Sequence, residues 1–376
     1  MVSYPEHMII AGKPVTGDQL IGRSREIEMI NHNLDAGQSI VLIAPRRYGK
    51  TSLLLEILRQ RKEAGNYTAF VDFFATPDII SLAAEITARV LANRKWNWTV
   101  YQIRTQLLEL LKNIQFRQVV DRYEFILGFG QTKPDEWELL AESLKLIDTF
   151  AIENQKKIVC GFDEFGDLEK LDGEKITKLF RSIIQLQEAS VFLFAGSYES
   201  VMNRIFVTKS SPFLRFARII HLGNINRDEF RPHILKNFNY FQTPNREALT
   251  DNILDFTQGH PYYTQLLSQQ VVLLQRSITT RELTFDLVKN EALAVENDSL
   301  EKLWEAISGN RQQKAVILAI AEGKESLYAE FDRNRINVSR TMKQLAGAGM
   351  ITTSPSPGLT DPLFRYWIRK RILKME

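Results

Sequence analysis

The stretch Val41-Leu42-Ile43-Ala44-Pro45-Arg46-Arg47-Tyr48-Gly49-Lys50-Thr51-Ser52 decides the fold. Its apolar start reads as a buried strand, and Leu53, Leu54, Leu55, Ile57 and Leu58 follow it at helical spacing. A strand, a tight loop ending Gly-Lys-Thr and a helix make the order of a phosphate-binding P-loop. In such a loop backbone N–H groups cradle the α- and β-phosphates. Here Pro45, Arg46, Arg47, Tyr48, Gly49, Lys50, Thr51 and Ser52 would form that cradle. Lys50 would reach the β- and γ-phosphates, and the Thr51 hydroxyl would ligate Mg²⁺. The positive end of the following helix would point at the same phosphates. Ala44 stands where the strict pattern has its first Gly, a difference of one methyl group.

Turnover of a bound nucleotide needs a second, acidic segment. Ile158-Val159-Cys160-Gly161-Phe162-Asp163-Glu164 is a buried-strand pattern ending in two acids. Asp163 is expected to hold Mg²⁺ through its hydration shell. Glu164 is expected to take a proton from the attacking water. The alternative, a strand that merely runs out into a solvated acidic turn, weakens once a P-loop lies upstream.

Composition sets the class. A chain of 376 residues predicts two or three domains, because single cores seldom grow beyond about 250 residues. Its 44% hydrophobic content suits globular cores. The net charge is only +3 but unevenly spread: from Ser326 onward there are nine Lys/Arg against four Asp/Glu. That basic end suits nucleic acid or a partner-facing surface. Cys160 is the only cysteine, so no intramolecular disulfide is expected. Residues 1–20 lack a basic, then apolar, leader, and no apolar run is long enough to span a membrane, so the cytoplasm is the expected location. The five histidines, His7, His32, His221, His233 and His260, have no metal-ligand spacing.

Along the chain, Ser24 reads as the cap of a helix beginning Arg25-Glu26-Ile27. Strands are expected at about 40–44, 68–73, 157–162, 190–195 and 218–222. Near-continuous apolar strands separated by helices predict an α/β fold, a parallel sheet covered on both faces. The segment between strands two and three reads as helical, its Trp96, Trp98 and Trp137 as helix packing. A helical unit follows over 227–295, with Gly259-His260-Pro261 as a corner between two helices. From about Leu300 a helix, a turn, the short basic helix Ile336–Leu345 and a strand start at Gly349–Thr353 predict a winged helix. The division expected is 1–225 for the ATPase unit, 226–298 for a helical lid and 299–376 for the winged helix.

These motifs together resemble the archaeal-type ATPases of the AAA+/STAND branch of P-loop proteins. The segments that carry the resemblance are Ile21-Gly22-Arg23 with Ser24–Glu28, Ala44–Ser52, Asp163-Glu164-Phe165, Gly196-Ser197 and Gly259–Tyr263, with Asp361–Ile368 near the end. The resemblance implies that Gly22 and Arg23 lie beside the adenine of ATP or ADP and that Pro261 covers the base from the lid. It also implies that Ser197 stands in the sensor-1 place, near the γ-phosphate or the attacking water. An arginine near the γ-phosphate is implied too, with Arg215 and Arg218 as candidates. Arg46 and Arg47 remain open between phosphate contact and loop surface. Some relatives carry a nuclease-like domain, and nothing in this sequence calls for one.

Two functions of different class follow. The first is an ATP-binding and ATP-hydrolysing switch, with Mg²⁺, in which nucleotide state sets the arrangement of lid and winged helix. The second is a DNA-binding winged-helix protein with ATP as a loading or structural ligand. Arg333, Arg335, Arg340 and Lys343 would then contact DNA, aided by the cluster from Arg369 to Lys374. A protein partner for the winged helix stays open as well. A homo-oligomer is required only if an arginine acts across subunits. A small-molecule kinase fits poorly, because no acceptor-site motif accompanies the P-loop.

Overall fold

A computed structural model describes residues 9–93, 114–119, 122–127, 135–277, 282–324, 326–331, 336–354 and 356–375. Trp96, Trp98, Arg333 and Arg335 lie outside the described residues. The first unit holds helices α1 (Ser24–Asp35), α2 (Lys50–Glu63), α3 (Ile79–Leu91), α4 (Glu136–Glu153), α5 (Glu169–Ile184) and α6 (Glu199–Phe206). Its strands are β1 (Ile40–Ile43), β2 (Tyr67–Asp72), β3 (Ile114–Val119), β4 (Arg122–Leu127), β5 (Ile158–Asp163), β6 (Ser190–Gly196) and β7 (Arg218–His221). Five of them form a parallel sheet in the order β2-β5-β6-β1-β7.

Alternation along each strand sorts its side chains into two cores. Val41 and Ile43, Cys160 and Phe162, and Phe192 and Phe194 face the core under α3 to α6. Ile40 and Leu42, Val159, and Leu193 and Ala195 face the core shared with α1 and α2. Because both faces are covered, β1, β5 and β6 are buried at every position, which is why they read as continuous apolar runs. Within the first core the rings of Phe162, Phe165, Phe180, Phe194 and Phe213 meet edge-on or tilted, except that Phe162 and Phe165 are stacked.

Two local expectations change. Helix was expected throughout the segment between β2 and β5, but β3 and β4 pair there as an antiparallel hairpin, with Phe116 opposite Phe125 and Arg117 opposite Glu124. The alternation Ile114-Gln115-Phe116-Arg117 and Tyr123-Glu124-Phe125 has the period of a strand, and it prevails over the helical flanks. Trp137 does pack as expected, against the first core with the Lys175 ammonium 3.6 Å from its ring centre. At the other change, Ser24 is the first helical residue rather than the cap. Arg23 takes the cap position in left-handed backbone, φ 69°.

The C-terminal region is helical: α7 (Arg227–Tyr240), α8 (Arg246–Thr257), α9 (Pro261–Ser277), α10 (Phe285–Ser308), α11 (Arg311–Glu322), α12 (Leu327–Glu330), α13 (Val338–Gly347) and α14 (Pro362–Trp367). A two-strand ladder of β8 (Ile351–Thr352) and β9 (Gly358–Leu359) sits between α13 and α14. The Gly-x-Pro segment makes the corner between α8 and α9. Gly259 takes φ 75°, and a Cβ there would lie 2.0 Å from the Ile225 carbonyl oxygen, so only glycine fits. One apolar cluster, from Phe230 through Leu266, Leu300 and Val316 to Ile368, runs through the whole region and takes in Ile9 and Ile21. Position 298 lies within α10, whose side chains belong to that shared cluster. No helix among the described residues is long and apolar enough to cross a membrane.

Gly161 sets how closely α2 approaches the sheet. A Cβ there would stand 2.6 Å from Leu54 Cδ2 and 2.9 Å from Leu58 Cδ1. Gly161→Ala is therefore expected to destabilise the fold by about 1–3 kcal/mol through overpacking. Urea denaturation checks this; unchanged stability would mean that α2 shifts freely.

Candidate active site

Parallel strands deliver their C-terminal ends to one edge, and the chemistry gathers there. β1 ends at Ile43 and feeds the loop 44–49, β5 ends at Asp163, and β6 ends at Gly196 just before Ser197. A cavity of about 870 Å³ opens over this edge, a size that suits a mononucleotide. It is lined by the loop from Arg46 to Ser52, by Asp72, Asp163, Glu164 and Asp167, and by Ser197. Arg23 and Val15 close one end, with Pro261, Tyr262 and Gln265 from the helical region.

Lys50 is the first residue of α2 and is buried. Its ammonium donates to the carbonyls of Ala44 (2.9 Å) and Pro45 (3.0 Å), so it lies along the loop that it would serve. Burial pushes its pKa down to about 8, against the pull of the Glu164 and Asp163 carboxylates. Thr51 Oγ1 donates to Asp163 Oδ2 at 2.6 Å, joining the P-loop helix to β5. Asp163 Oδ1 accepts from the Glu164 amide at 3.0 Å. Burial raises the Asp163 pKa, with the neighbouring Glu164 and Asp72 charges adding to it.

Glu164 sits in left-handed backbone, φ 48°, where β5 turns into the next helical segment. A non-glycine residue there carries strain of about 1–2 kcal/mol. The turn aims the carboxylate across the strand ends at Ser197, whose hydroxyl donates to Oε1 and whose amide donates to Oε2 at 3.2 Å. Thr51, Asp163, Glu164 and Ser197 thus form one connected chain of hydrogen bonds.

Arg23 is buried as well. Its guanidinium donates to the Gly223 carbonyl (2.6 Å), the Tyr48 carbonyl (3.3 Å) and Glu26 (2.9 Å). It therefore pins the loop to the chain leaving β7. Gly22 turns the backbone beneath Ile225, where a Cβ would stand 2.6 Å from Ile225 Cγ2. Gly22 and Pro45 are not among the cavity-lining residues: Pro45 instead supplies the carbonyl that Lys50 holds.

Arg215 and Arg218 lie elsewhere. Arg218 pairs with Ile40 at the start of β1, and its amide donates to the Ser39 carbonyl at 2.9 Å. The neighbouring Phe216 carbonyl accepts from Gln38, just before β1. This is the N-terminal edge of the sheet, so within one chain the strand length separates both arginines from the P-loop.

The contacts that tie the phosphate loop to the helical region escaped the sequence. Arg47, in left-handed backbone, donates to Glu296 (2.8 Å) and Tyr263 (3.2 Å), with its guanidinium 4.3 Å from the centre of the Tyr262 ring. Tyr262 also donates to Glu296, and Tyr263 to Asp361. The ring of His260 lies between those of Tyr48 and Tyr263, and burial pushes its pKa down to about 3. The Tyr-Tyr pair directly follows the Gly-x-Pro corner, and Asp361 precedes a helix-starting proline; both were visible. Glu296, one acid within a long helix, carries no local signal.

A phosphate-binding loop at the edge of a parallel sheet, facing two acids, defines the P-loop ATPase fold. A family model described as an ATPase domain predominantly from Archaea matches residues 20–267, and the protein belongs to that family. Among solved structures, the Walker-type ATPase PABY2304 of Pyrococcus abyssi is 15% identical over 96% of this chain and 99% of that one, with a TM-score of 0.69. The Aeropyrum pernix ORC2 protein, in its ADPNP–ADP complexes, is 16% identical over 96% and 97%, with a TM-score of 0.51. At such identities the likeness is one of fold. No curated protein matches.

Asp361 yields a pH prediction. Burial, with Glu296 adding, pushes its carboxyl up to about 6, although Tyr263, the Phe364 amide and Arg47 favour the carboxylate. A raised acid contributes stability below its unfolded pKa, near 4, and that contribution is lost as pH rises through about 6. Asp361→Asn removes the charge and keeps one acceptor oxygen, for the Phe364 amide that caps α14, while its NH2 group can donate to the Tyr263 hydroxyl in place of the second oxygen. Between pH 4 and 7 its stability relative to wild type is expected to rise by on the order of 3 kcal/mol. Urea unfolding at several pH values checks this, and a flat difference would refute the buried charge.

Proposed function

We propose that the protein is an ATP-hydrolysing switch of the AAA+/STAND type, with turnover carried out at the edge of the parallel sheet. The observation that carries this is the hydrogen-bonded chain from Thr51 through Asp163 and Glu164 to Ser197 beside the Lys50 loop. Thr51 Oγ1 and Asp163 Oδ2, 2.6 Å apart, are two hard oxygen donors suited to a divalent cation. Among the described residues no cluster of three acids, histidines or cysteines could hold a metal, and a nucleotide-bound Mg²⁺ needs none because phosphates and water complete its shell. Mg²⁺, when bound there, would neutralise charge on the phosphate oxygens.

Loop amides and Lys50 would bind the β- and γ-phosphates. Glu164, held by Ser197, would take one proton from water as its oxygen attacks the γ-phosphorus. The bond from that phosphorus to the bridging oxygen would break with its electron pair leaving on ADP. Arg23 and Pro261, which line the cavity, would border the base, with Gly22 turning the backbone behind Arg23. In the same reading, residues 1–225 form the ATPase unit, 226–298 the lid and 299–376 a winged helix. The lid and winged helix would meet the site through Arg47 and would report the nucleotide state.

Glu164→Gln is expected to keep nucleotide affinity and to lower kcat by about 10²–10⁴-fold, the usual worth of a general base. Lys50→Ala should lose nucleotide binding itself. Steady-state phosphate release together with titration of a fluorescent ADP checks both. Wild-type turnover in Glu164→Gln would overturn the assignment.

A second reading, contact with DNA, rests on Arg340 and Lys343, which are exposed three residues apart on α13. The end of α13 is less free: a Cβ at Gly347 would lie 3.6 Å from Ser200, and one at Gly349 would lie 3.2 Å from Pro45. DNA contact predicts affinity that falls steeply between 50 and 200 mM salt, on the order of tenfold or more, and weakens in Arg340→Ala/Lys343→Ala. Fluorescence anisotropy with duplex DNA decides; salt-insensitive or absent binding would exclude it.

A further inference from the structure

Hydrolysis places growing negative charge on the γ-phosphoryl oxygens and the leaving oxygen, and cations beside them stabilise it. The cavity edge is rich in acid, with Asp72, Asp163, Glu164 and Asp167 all lining it. Lys50 at the loop, with Lys13 from the segment before α1, is a thin counterweight. Three arginines line the same cavity, and they differ in what already holds them. Arg23 is buried and paired with Glu26. Arg47 is paired with Glu296 and faces the helical region. Arg46 has no carboxylate partner among the described residues. Its guanidinium donates to the Tyr198 hydroxyl at 3.0 Å and lies 5.4 Å from the centre of the same ring.

Those neutral contacts put the Arg46 charge in a particular place. Tyr198 directly follows Ser197, the residue whose hydroxyl and amide hold Glu164. On its other side Arg46 directly follows Pro45, whose carbonyl accepts from Lys50 at 3.0 Å. Arg46 therefore bridges from the Lys50 loop to the segment that follows β6, the same segment whose Ser197 holds Glu164. Its charge reaches Lys50, helping to depress that ammonium's pKa, although burial and the acids weigh more. Arg215 and Arg218, at the opposite edge of the sheet, cannot serve this place within one chain.

We infer that Arg46 is a catalytic residue that contacts the γ-phosphoryl group in cis. It supplies the cation that sites of this kind elsewhere take from a distant segment or from a partner. This assignment rests on the hydrolytic reading above. In it the Tyr198 hydroxyl is a positioning group that holds the guanidinium at the cavity edge, and binding of the γ-phosphate exchanges that neutral partner for an anionic one.

The test compares Arg46→Ala, Arg46→Lys and Tyr198→Phe with wild type. Arg46 is exposed, so its truncation leaves no buried group unpaired. Arg46→Ala should lower kcat by about 10³-fold, the low end of the range for an arginine at a transferring phosphoryl group. Its ADP affinity should stay within about twofold, while its affinity for the non-hydrolysable analogue ADPNP drops at least about tenfold. Arg46→Lys should recover part of kcat, and Tyr198→Phe should lose less than Arg46→Ala. Equal loss of ADP and ADPNP affinity, or unchanged kcat and ADPNP affinity, would overturn the assignment. Mixing Arg46→Ala with Glu164→Gln should restore no activity, and recovery would show that Arg46 acts across subunits instead. If wild type itself turns over no ATP, the hydrolytic reading fails, and the ADPNP-to-ADP affinity ratio still decides whether Arg46 meets the γ-phosphate.

Discussion

Parallel register is the constraint on which the site depends. Ile43 pairs with Gly196 on one side and His221 on the other, while Asp163 pairs with Asp72 across β2. The residues that follow, Ala44, Glu164 and Ser197, therefore leave the sheet side by side. A slip of one residue would break that alignment and exchange the two faces of a strand. Each face is sealed by its own core, so a slip would turn the apolar set of β1, β5 or β6 the wrong way. At about 1.5–3 kcal/mol for each large apolar side chain, correct burial far outweighs any single polar contact in the site. The hydrogen bond between Thr51 and Asp163 is thus a consequence of the register more than its cause.

Around that edge, charge is handed out by position. Lys50 and the acids are drawn into the strand ends, where burial perturbs both. Arg23 spends its charge on fastening the loop to the chain after β7. Arg47, at the cavity wall, is taken up by a polar cluster made with Tyr262, Tyr263, Glu296 and Asp361. These contacts join the loop after β1 to the helical region, and they do so at the cavity edge.

The sheet and the first members of the site were legible because they obey short-range rules. Buried strands announce themselves by continuous apolar runs; Asp163 and Ser197 stand at or just beyond the end of one, and Lys50 and Thr51 open the helix after the loop that follows another. The β3–β4 hairpin was missed because its alternation is brief and lies between two strong helices. Ser24 lost the cap position because Arg23, fixed by three acceptors, could hold a left-handed turn that its type disfavours. Glu296 and the pairing of Tyr263 with Asp361 were illegible for a different reason. They join residues far apart in the chain, and only packing of α9, α10 and α14 in one core brings them together.

Two adjacent arginines in one loop take different partners, Tyr198 for Arg46 and the helical region for Arg47, and the backbone explains how. Arg47 is left-handed, φ 71°, so the chain reverses between it and Arg46. An arginine costs about 1–2 kcal/mol in that conformation, and the ion pair with Glu296 and the Tyr262 ring offset it. The loop is consequently held from both sides: by Lys50 on its own carbonyls, and by the helical region on Arg47. A ligand that reshapes the loop backbone must act against the Arg47 contacts, and rearrangement of the helical region must act on the loop. Such reciprocity is what coupling between nucleotide and C-terminal region requires, since a ligand shifts an equilibrium only through contacts that differ between the two states.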